Sequence, residues 1–331
     1  MTTSVTVAPR ARTAGQSVTL FFGKFGALIV LAVLVIVFSI IAPSYFLTWG
    51  NIVQIFNQSA LAAIIACGLT LVLAANQFDL SIGYTASLAG IAVAAMLIAG
   101  IPIPVAILLA LLLSVGIGVL NSILVTRLGV NALVATLGVG SVAVGINYFI
   151  SGGAAQPFGA YVPEFSEISV GTWLGIPRNV YYMVIIVAIL WVLLNRTVLG
   201  RNIQAVGGNA EATRLVGVNV RAVTSAAFIL CSLLAGITGI LLAAVVGSGQ
   251  STGGDGYTLQ AFAAAFLGTA VIREGQFHIL GTVVGVVTVA TGFNGLAIIG
   301  VPSFVQFLFQ GILLIAAVSF STVARKLTRA S

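Results

Sequence analysis

Side chains that could carry out catalysis are scarce in this 331-residue chain. Its single histidine, His278, has no second histidine or cysteine close by in sequence, so we do not expect a metal site. A Ser/His/Asp assembly would need Asp79 or Asp255, and the topology predicted below separates both from His278. We therefore predict neither a catalytic residue nor a metal ligand.

Nucleotide-binding motifs are also missing from the sequence. A phosphate-binding P-loop needs a lysine followed by serine or threonine, whereas Lys24 precedes Phe25 and Lys326 precedes Leu327. Residues 138–143 resemble a dinucleotide fingerprint, but they lie in an apolar run without the flanking strand that such a site requires. We predict that this chain binds no cofactor; the resemblance described below implies that ATP and Mg²⁺ are bound by a partner chain.

Polar side chains inside apolar runs are the next candidates, because polar and ionisable groups within a membrane commonly serve a function. We expect Asp79 near the cytoplasmic edge of the membrane, where it would cap a helix beginning at Ser81. A neutral, hydroxyl-rich solute would need amides and few charges along its route. We assign a candidate translocation path to six residues: Asn57, Gln58, Asp79, Ser81, Asn121 and Asn294.

One long polar segment, residues 199–220, interrupts the apolar pattern. A Gly-Gly-Asn turn precedes a stretch that can form a short helix, with Glu211 near its positive amino end and Arg214 near its carboxyl end. Gly217 can end this helix. So short a helix needs something to dock against. We predict that it docks on a partner chain through Gly207, Gly208, Asn209, Glu211, Ala212, Thr213, Arg214 and Gly217, and the resemblance described below implies that this partner is an ATPase.

The composition indicates a membrane protein. The chain is 60% hydrophobic and only 6% charged, whereas ordinary soluble domains are about 25% charged. The long runs without any charged residue predict an all-α polytopic protein with about ten transmembrane helices. We place the spans at residues 25–42, 51–75, 81–99, 105–126, 130–150, 180–194, 222–246, 258–272, 277–299 and 302–320.

The positive charges set the orientation of these spans. With the amino terminus inside, twelve of the thirteen Lys and Arg residues lie on the cytoplasmic side, and Arg178 is the exception. This distribution favours cytoplasmic tails at 1–24 and 322–331, a transmembrane domain at 25–321, a cytoplasmic segment at 196–221, and outer loops at 151–179 and 247–257. The net charge of +7 reflects the cytoplasmic loops, so no nucleic-acid partner is predicted.

An internal repeat is visible at one offset of 173 residues, which relates Gly83 to Gly256, Asn121 to Asn294, and Gly138 to Gly311. The two halves, about 51–150 and 222–320, start on opposite sides of the predicted membrane. This arrangement predicts an inverted repeat of the kind from which many transporters are built. Gly281 and Gly285, spaced as GxxxG, predict close helix packing within one subunit.

Residues 207–219, Gly-Gly-Asn-Ala-Glu-Ala-Thr-Arg-Leu-Val-Gly-Val-Asn, closely resemble the permease subunit of ribose-type ABC importers. The spacing of Glu211 and Gly217 looks like the Glu-Ala-Ala-x-x-x-Gly coupling motif of ABC permeases in general. The likeness extends from about residue 45 over nearly the whole chain. Further matches are Asp79-Leu80-Ser81-Ile82-Gly83, Gly256-Tyr257, Gly268-Thr269 and Gly281-Thr282.

The resemblance implies a multi-pass subunit of the bacterial inner membrane that translocates a ribose-like monosaccharide or a related neutral molecule. Its expected partners are an ABC ATPase, a periplasmic or extracellular sugar-binding protein, and a second permease copy or a sister permease. Two features depart from the family: Thr213 takes the third motif position, and residues 273–276, Arg-Glu-Gly-Gln, replace the usual Gly-Gly-Lys-Gly. The second departure leaves the substrate open.

Two other functional classes remain alternatives. A secondary transporter driven by an ion gradient would also have inverted repeats, but it would place a carboxylate near mid-membrane, and Asp79 is the only candidate. An enzyme embedded in the membrane would show turnover by the chain alone. In the favoured interpretation the chain is a transport subunit, and a separate chain hydrolyses ATP.

Overall fold

The computed structural model describes residues 14–271 and 275–329, with side chains over 25–271 and 275–319. These residues are mostly helical. The helices are α1 (Ala14–Ile41), α2 (Trp49–Ala74), α3 (Ile82–Ile98), α4 (Ile103–Thr126), α5 (Ala132–Ser151), α6 (Pro163–Val170), α7 (Arg178–Arg196), α8 (Val198–Gly208), α9 (Ala210–Leu215), α10 (Val220–Val246), α11 (Asp255–Gly268), α12 (Ile279–Ile298) and α13 (Ser303–Arg329).

Helix α10 lies at the centre of the bundle and packs against α2, α3 and α4. Small residues let helix backbones approach closely. A Cβ atom on Gly239 would overlap the Ala86 carbonyl group of α3, and one on Gly118 would crowd the backbone of α10 at Phe228. Helices α4, α5 and α7 bury far less of their length than α2 and α10 do, so they form an outer layer with exposed apolar faces.

Helices α11 and α12 form a second close contact. A Cβ atom on Gly281 would overlap the Gly268 carbonyl oxygen, and one on Gly285 would overlap the Ala264 carbonyl oxygen. The hydroxyl groups of Thr70 and Thr282, 2.7 Å apart, connect α12 to α2. The predicted GxxxG packing within one subunit is therefore confirmed.

Within the part of the chain that the structure describes, six helices are long and apolar enough to cross a membrane: α2, α4, α5, α7, α10 and α12. Shorter apolar helical stretches occupy Phe25–Ile41, Ile82–Ile98 and Ser303–Ser319, and α11 has only 14 residues. The prediction of an all-α polytopic membrane protein is confirmed. Ten spans, the inverted repeat and cytoplasmic termini stay predictions.

Helices α1 and α13 extend into the predicted cytoplasmic tails. Helix α1 begins at Ala14 and α13 continues to Arg329, whereas the predicted spans cover 25–42 and 302–320. Hydropathy marks the part of a helix that can lie in hydrocarbon, but backbone hydrogen bonds can continue the helix through polar residues. Residues 272–274, which include the Arg273-Glu274 departure, lie outside the described residues.

The two predicted outer loops fold together into what we term the outer cap, residues 152–177 and 247–254. Strand β1 (Gln156–Pro157) pairs with β4 (Ser248–Gly249), and β2 (Thr172–Trp173) pairs with β3 (Ile176–Pro177). Helix α6 buries Phe165, whose ring meets that of Phe158 edge-on at 5.2 Å between centroids. Both rings pack against α10, which fixes the outer cap to the bundle.

Arg178, the one basic residue predicted on the outer side, has local partners beside the outer cap. Its Nη2 atom is 3.9 Å from a carboxylate oxygen of Glu167, and its guanidinium carbon is 5.4 Å from the centroid of the Trp173 ring. Nη1 also donates a hydrogen bond to the Glu167 carbonyl oxygen. These contacts hold the side chain against the cap.

Candidate functional site

Helix α8 anchors the polar segment to the bundle. Thr197 caps it, since its hydroxyl oxygen accepts a hydrogen bond of 3.1 Å from the Gly200 amide. One face of the helix is buried through Ile203 and Val206. At its end Gly207 lies so close to α2 that a Cβ atom would overlap the Ala74 carbonyl oxygen. The end of α8 therefore contacts the end of α2 directly.

Helix α9 follows immediately, and Asn209 caps its amino end. The side chain of Asn209 accepts a hydrogen bond of 2.9 Å from the Ala212 amide, and the Thr213 hydroxyl donates one of 2.7 Å to the Asn209 carbonyl. Glu211 lies in the first turn and Arg214 in the last. The observed helix, Ala210–Leu215, agrees with the short helix predicted between the Gly-Gly-Asn turn and Gly217. Its end has a left-handed turn at Gly217, where φ is +88°.

The outer surface of α9 has no cover in the described residues. Thr213 is buried, but Glu211, Ala212 and Arg214 are exposed. Leu215 and Val216 at the tip are 80% and 78% exposed. An exposed apolar tip flanked by charged side chains is typical of a surface that another protein covers.

Three of the predicted path residues form one buried polar cluster. Asp79 Oδ1 accepts hydrogen bonds from the Ser81 amide at 2.9 Å and from its hydroxyl at 2.6 Å. Asn121 Nδ2 donates to the same hydroxyl oxygen at 2.8 Å. All three side chains are fully buried, and Asp79 Oδ2 and Asn121 Oδ1 have no hydrogen-bond partner in the structure.

This cluster lies deeper in the bundle than the sequence suggested. The chain turns at Asn76, where φ is +57°, and residues 77–81 run back between the helices. The Leu80 amide donates a hydrogen bond of 3.1 Å to the Thr136 hydroxyl of α5. Ser81 Cα would lie 3.5 Å from a Cβ atom placed on Gly140, near the middle of α5. Asp79 therefore holds Ser81, the residue before α3, and lies within the bundle and not at its edge; neither of these side chains caps the first amides of α3.

The other predicted path residues lie apart from this cluster. Asn57 is partly buried with an unpartnered Oδ1 atom, while Gln58 is exposed. Asn294 donates a hydrogen bond of 2.9 Å to Asn51 Oδ1 at the start of α2. Asn121 and Asn294, which the repeat relates, thus have unrelated partners. A single path through all six residues remains a prediction.

The two halves of the predicted repeat meet where α3 and α11 begin. The Gly83 amide donates a hydrogen bond of 3.1 Å to the Thr258 hydroxyl. The Ser87 hydroxyl accepts one of 2.9 Å from the Gly254 amide and donates one of 3.1 Å to Asp255 Oδ1. Burial raises the pKa of Asp255 above its ordinary value, and the bond from Ser87 lowers it in part. Sequence reasoning missed this contact, although the matched Gly83 and Gly256 pointed to it.

His278 has a structural role at the start of α12. Its Nδ1 atom accepts a hydrogen bond of 3.0 Å from the Gly281 amide, and Nε2 is 2.6 Å from the Val271 carbonyl oxygen. Because a carbonyl oxygen only accepts, Nε2 carries the proton and the ring is the neutral tautomer. The described residues contain no group of three metal-ligating side chains.

Comparison with known proteins decides the family. Residues 51–318 match the family described as the permease component of the branched-chain amino acid transport system. The chain belongs to this permease family. It is also 35% identical over 294 residues to the ribose import permease protein of Escherichia coli K12, covering 88% of this permease and 91% of that protein.

Two more relatives are named for other sugars. The D-allose transport system permease protein of Escherichia coli K12 is 32% identical over 308 residues, which cover 93% of this permease and 94% of that protein. The L-arabinose transport system permease protein of the same strain is 32% identical over 306 residues, with 92% of each chain covered. No solved structure matches the permease.

These relatives and the apolar helices establish the class of protein. The permease is a multi-pass transport subunit of the bacterial inner membrane, as the resemblance implied. The earlier alternative of a membrane enzyme finds no support in these relatives, because each is a permease component.

Proposed function

We propose that this permease is the membrane subunit of an ATP-driven ABC importer and that α9 is its coupling helix. The observation that carries the proposal is the geometry of α9. It is a capped helix of six residues, too short to be stable alone, with an apolar tip of which more than three quarters is exposed. A groove on a cytoplasmic ATPase would cover this tip, with Glu211 and Arg214 at the rim.

The position of α9 also provides a route for motion. Its chain passes through Gly217 into α10, where Asn219 caps the new helix by accepting a hydrogen bond of 3.1 Å from the Ala222 amide. On its other side, α8 touches α2 at Gly207 and Ala74. A displacement of α9 by an ATPase would therefore act on α10 and α2, the two central helices, as a rigid-body movement.

The proposed cargo is a neutral sugar. The relatives named above carry ribose, D-allose and L-arabinose in their names, whereas the family description mentions branched-chain amino acids. An amino acid zwitterion would need charged partners along its path, and the candidate path contains one ionisable residue, Asp79, with amides and hydroxyls elsewhere. Amide groups and few charges suit the hydroxyl groups of a monosaccharide.

The remaining partners follow from this assignment. A solute-binding protein would dock on the outer cap, where pairing of β1 with β4 joins the two outer loops into one surface. ATP and Mg²⁺ would be bound by two ATPase subunits. A second permease copy, or a sister permease, would cover part of the exposed apolar outer layer.

Uptake measurements test the proposal. Proteoliposomes would contain the permease, its ATPase and its binding protein. Labelled D-ribose, D-allose and L-arabinose would be supplied on the side of the binding protein, and ATP on the side of the ATPase. We expect uptake of at least one sugar that requires both ATP and the ATPase. In an assembled Glu211→Lys complex we expect uptake to be lost and ATP hydrolysis to continue. Undiminished uptake in that variant would refute the coupling role of α9.

One observation favours the gradient-driven alternative. The fully buried Asp79 lies against the middle of α5, where a carboxylate for ion coupling would be expected. Uptake that follows a proton or sodium gradient in vesicles containing the permease alone would establish this alternative. Dependence on the ATPase would exclude it.

A further inference from the structure

A groove opens where the outer ends of α11, α12 and α13 meet. Its volume is about 170 Å³, and it is lined by Gly253, Gly256, Tyr257, Gln260, Phe293, Gln306, Phe307 and Gln310. Pockets for drug-sized ligands start at about 300 Å³, so this groove fits a smaller solute. None of the six predicted path residues lines it.

The lining has the chemistry of a sugar site. Three side-chain amides and the Tyr257 hydroxyl supply donors and acceptors, and the Phe293 and Phe307 rings supply apolar surface. None of the eight lining residues is charged. A carboxylate or ammonium group would therefore enter this groove without a counter-ion, whereas a polyhydroxylated neutral solute could satisfy the amides.

Gln310 is the strongest single indication of a ligand. The residue is 7% exposed, and its Nε2 atom is buried without a hydrogen-bond partner among the described residues. Buried polar groups are nearly always hydrogen-bonded, and one that lacks a partner needs an explanation. A solute hydroxyl group could accept a hydrogen bond from this amide once the side chain turns toward the groove that Gln310 lines.

The groove lies at the end of the molecule opposite the coupling helix. Helix α10 begins next to α9 and ends next to β4 in the outer cap. The chain continues from the cap into α11, whose first turn lines the groove together with the first turns of α13. A solute released by a protein docked on the outer cap would therefore reach this groove early in its passage.

We propose that this groove is a binding site for the transported solute, selective for a neutral monosaccharide through Gln260, Gln306 and Gln310 and through the ring of Phe307. The inference rests on the proposed function and assigns the permease a substrate site of its own. Because the groove is small and open, binding is weak and reversible, as passage requires.

Binding would be measured by saturation-transfer NMR on the full-length permease in nanodiscs, with D-ribose, D-allose, L-arabinose and L-leucine as separate probes. We expect transfer to at least one sugar and none to L-leucine. In Gln310→Leu and Phe307→Ala the sugar signal should fall by about five- to tenfold, the loss expected when a buried polar partner or a ring contact is removed. Gln54→Leu and Phe304→Ala, at exposed positions outside the groove, should keep the signal.

Thermal stability separates a binding role from a structural role. Leucine in place of a glutamine with an unpartnered buried amide should leave the melting temperature unchanged or raise it. Loss of sugar binding without loss of stability would therefore support the site.

Three results would overturn the inference: no transfer to any of the three sugars, equal transfer in groove and control variants, or transfer to L-leucine alone. Such results would leave ATP-dependent uptake intact if the proposed function holds. If uptake instead proved independent of the ATPase while the groove still bound sugar, the coupling proposal would fail and the binding site would stand.

Discussion

Two neighbouring glycines in the same motif have different structural roles. Gly207 lies against the Ala74 carbonyl, whereas Gly208 has no atom within 4 Å of where its Cβ would be. The motif alone gives no reason to distinguish them. The contact with α2 predicts that only the first position excludes a side chain.

We expect Gly207→Ala to destabilise the permease by about 1–3 kcal/mol, because the clash is with backbone that cannot rotate away. Gly208→Ala should be neutral or slightly stabilising, since alanine favours helix more than glycine does. Thermal unfolding in detergent measures both variants, and ATP-driven uptake should fall only in the first. Equal behaviour of the pair would contradict the assigned contact between α8 and α2.

Asp79 accepts two hydrogen bonds from Ser81, and a substitution can keep or remove this acceptor. Asn keeps an oxygen in the Oδ1 position, so Asp79→Asn should preserve the turn and ATP-driven uptake. Asp79→Ala leaves the buried Ser81 amide and hydroxyl without this acceptor and should cost about 1–3 kcal/mol of stability. Unfolding and uptake assays on both variants provide the measurement. Abolished uptake in a stable Asp79→Asn protein would instead indicate that the carboxylate takes part in ion coupling.

At the scale of elements, we expect the apolar tip of α9 to serve docking and not folding. Leu215→Asp combined with Val216→Asp should weaken ATPase binding by about tenfold or more, as loss of a buried interface anchor does. The melting temperature of the isolated permease should barely change, because both side chains are exposed. Leu174→Asp, 97% exposed in the outer cap, is the matched control. Co-purification of the ATPase at wild-type levels with the double variant would argue against docking at this tip.

For the molecule as a whole, the predicted orientation can be read by chemical labelling. The native thiols Cys67 and Cys231 are both buried, so new surface cysteines should label over a low background. With a membrane-impermeant maleimide on whole spheroplasts, we expect Leu174→Cys to react from outside and Leu215→Cys to react only after the membrane is opened. Reaction of both from the same side would refute the topology that places α9 in the cytoplasm.

The sequence by itself determined the helical membrane class and the location and end of the short α9 helix. Apolar runs need no tertiary information to indicate helical spans, because a helix satisfies its backbone hydrogen bonds within its own segment even in hydrocarbon. The α9 signals are equally local: the Gly-Gly-Asn turn before it, Glu211 in the first turn and Gly217 at the end act within a few residues.

Only the tertiary structure decided which polar residues lie together. Asn121 joins Ser81 across 40 positions in the chain, while Asn294 joins Asn51 across 243, and no periodicity in an almost uniformly apolar sequence specifies such partners. The inward course of residues 77–81 and the groove around Gln310 also depend on how α5, α11, α12 and α13 are arranged. Local patterns fix which helices form, but side-chain clusters depend on contacts between segments far apart in sequence, and these arise only when the helices pack.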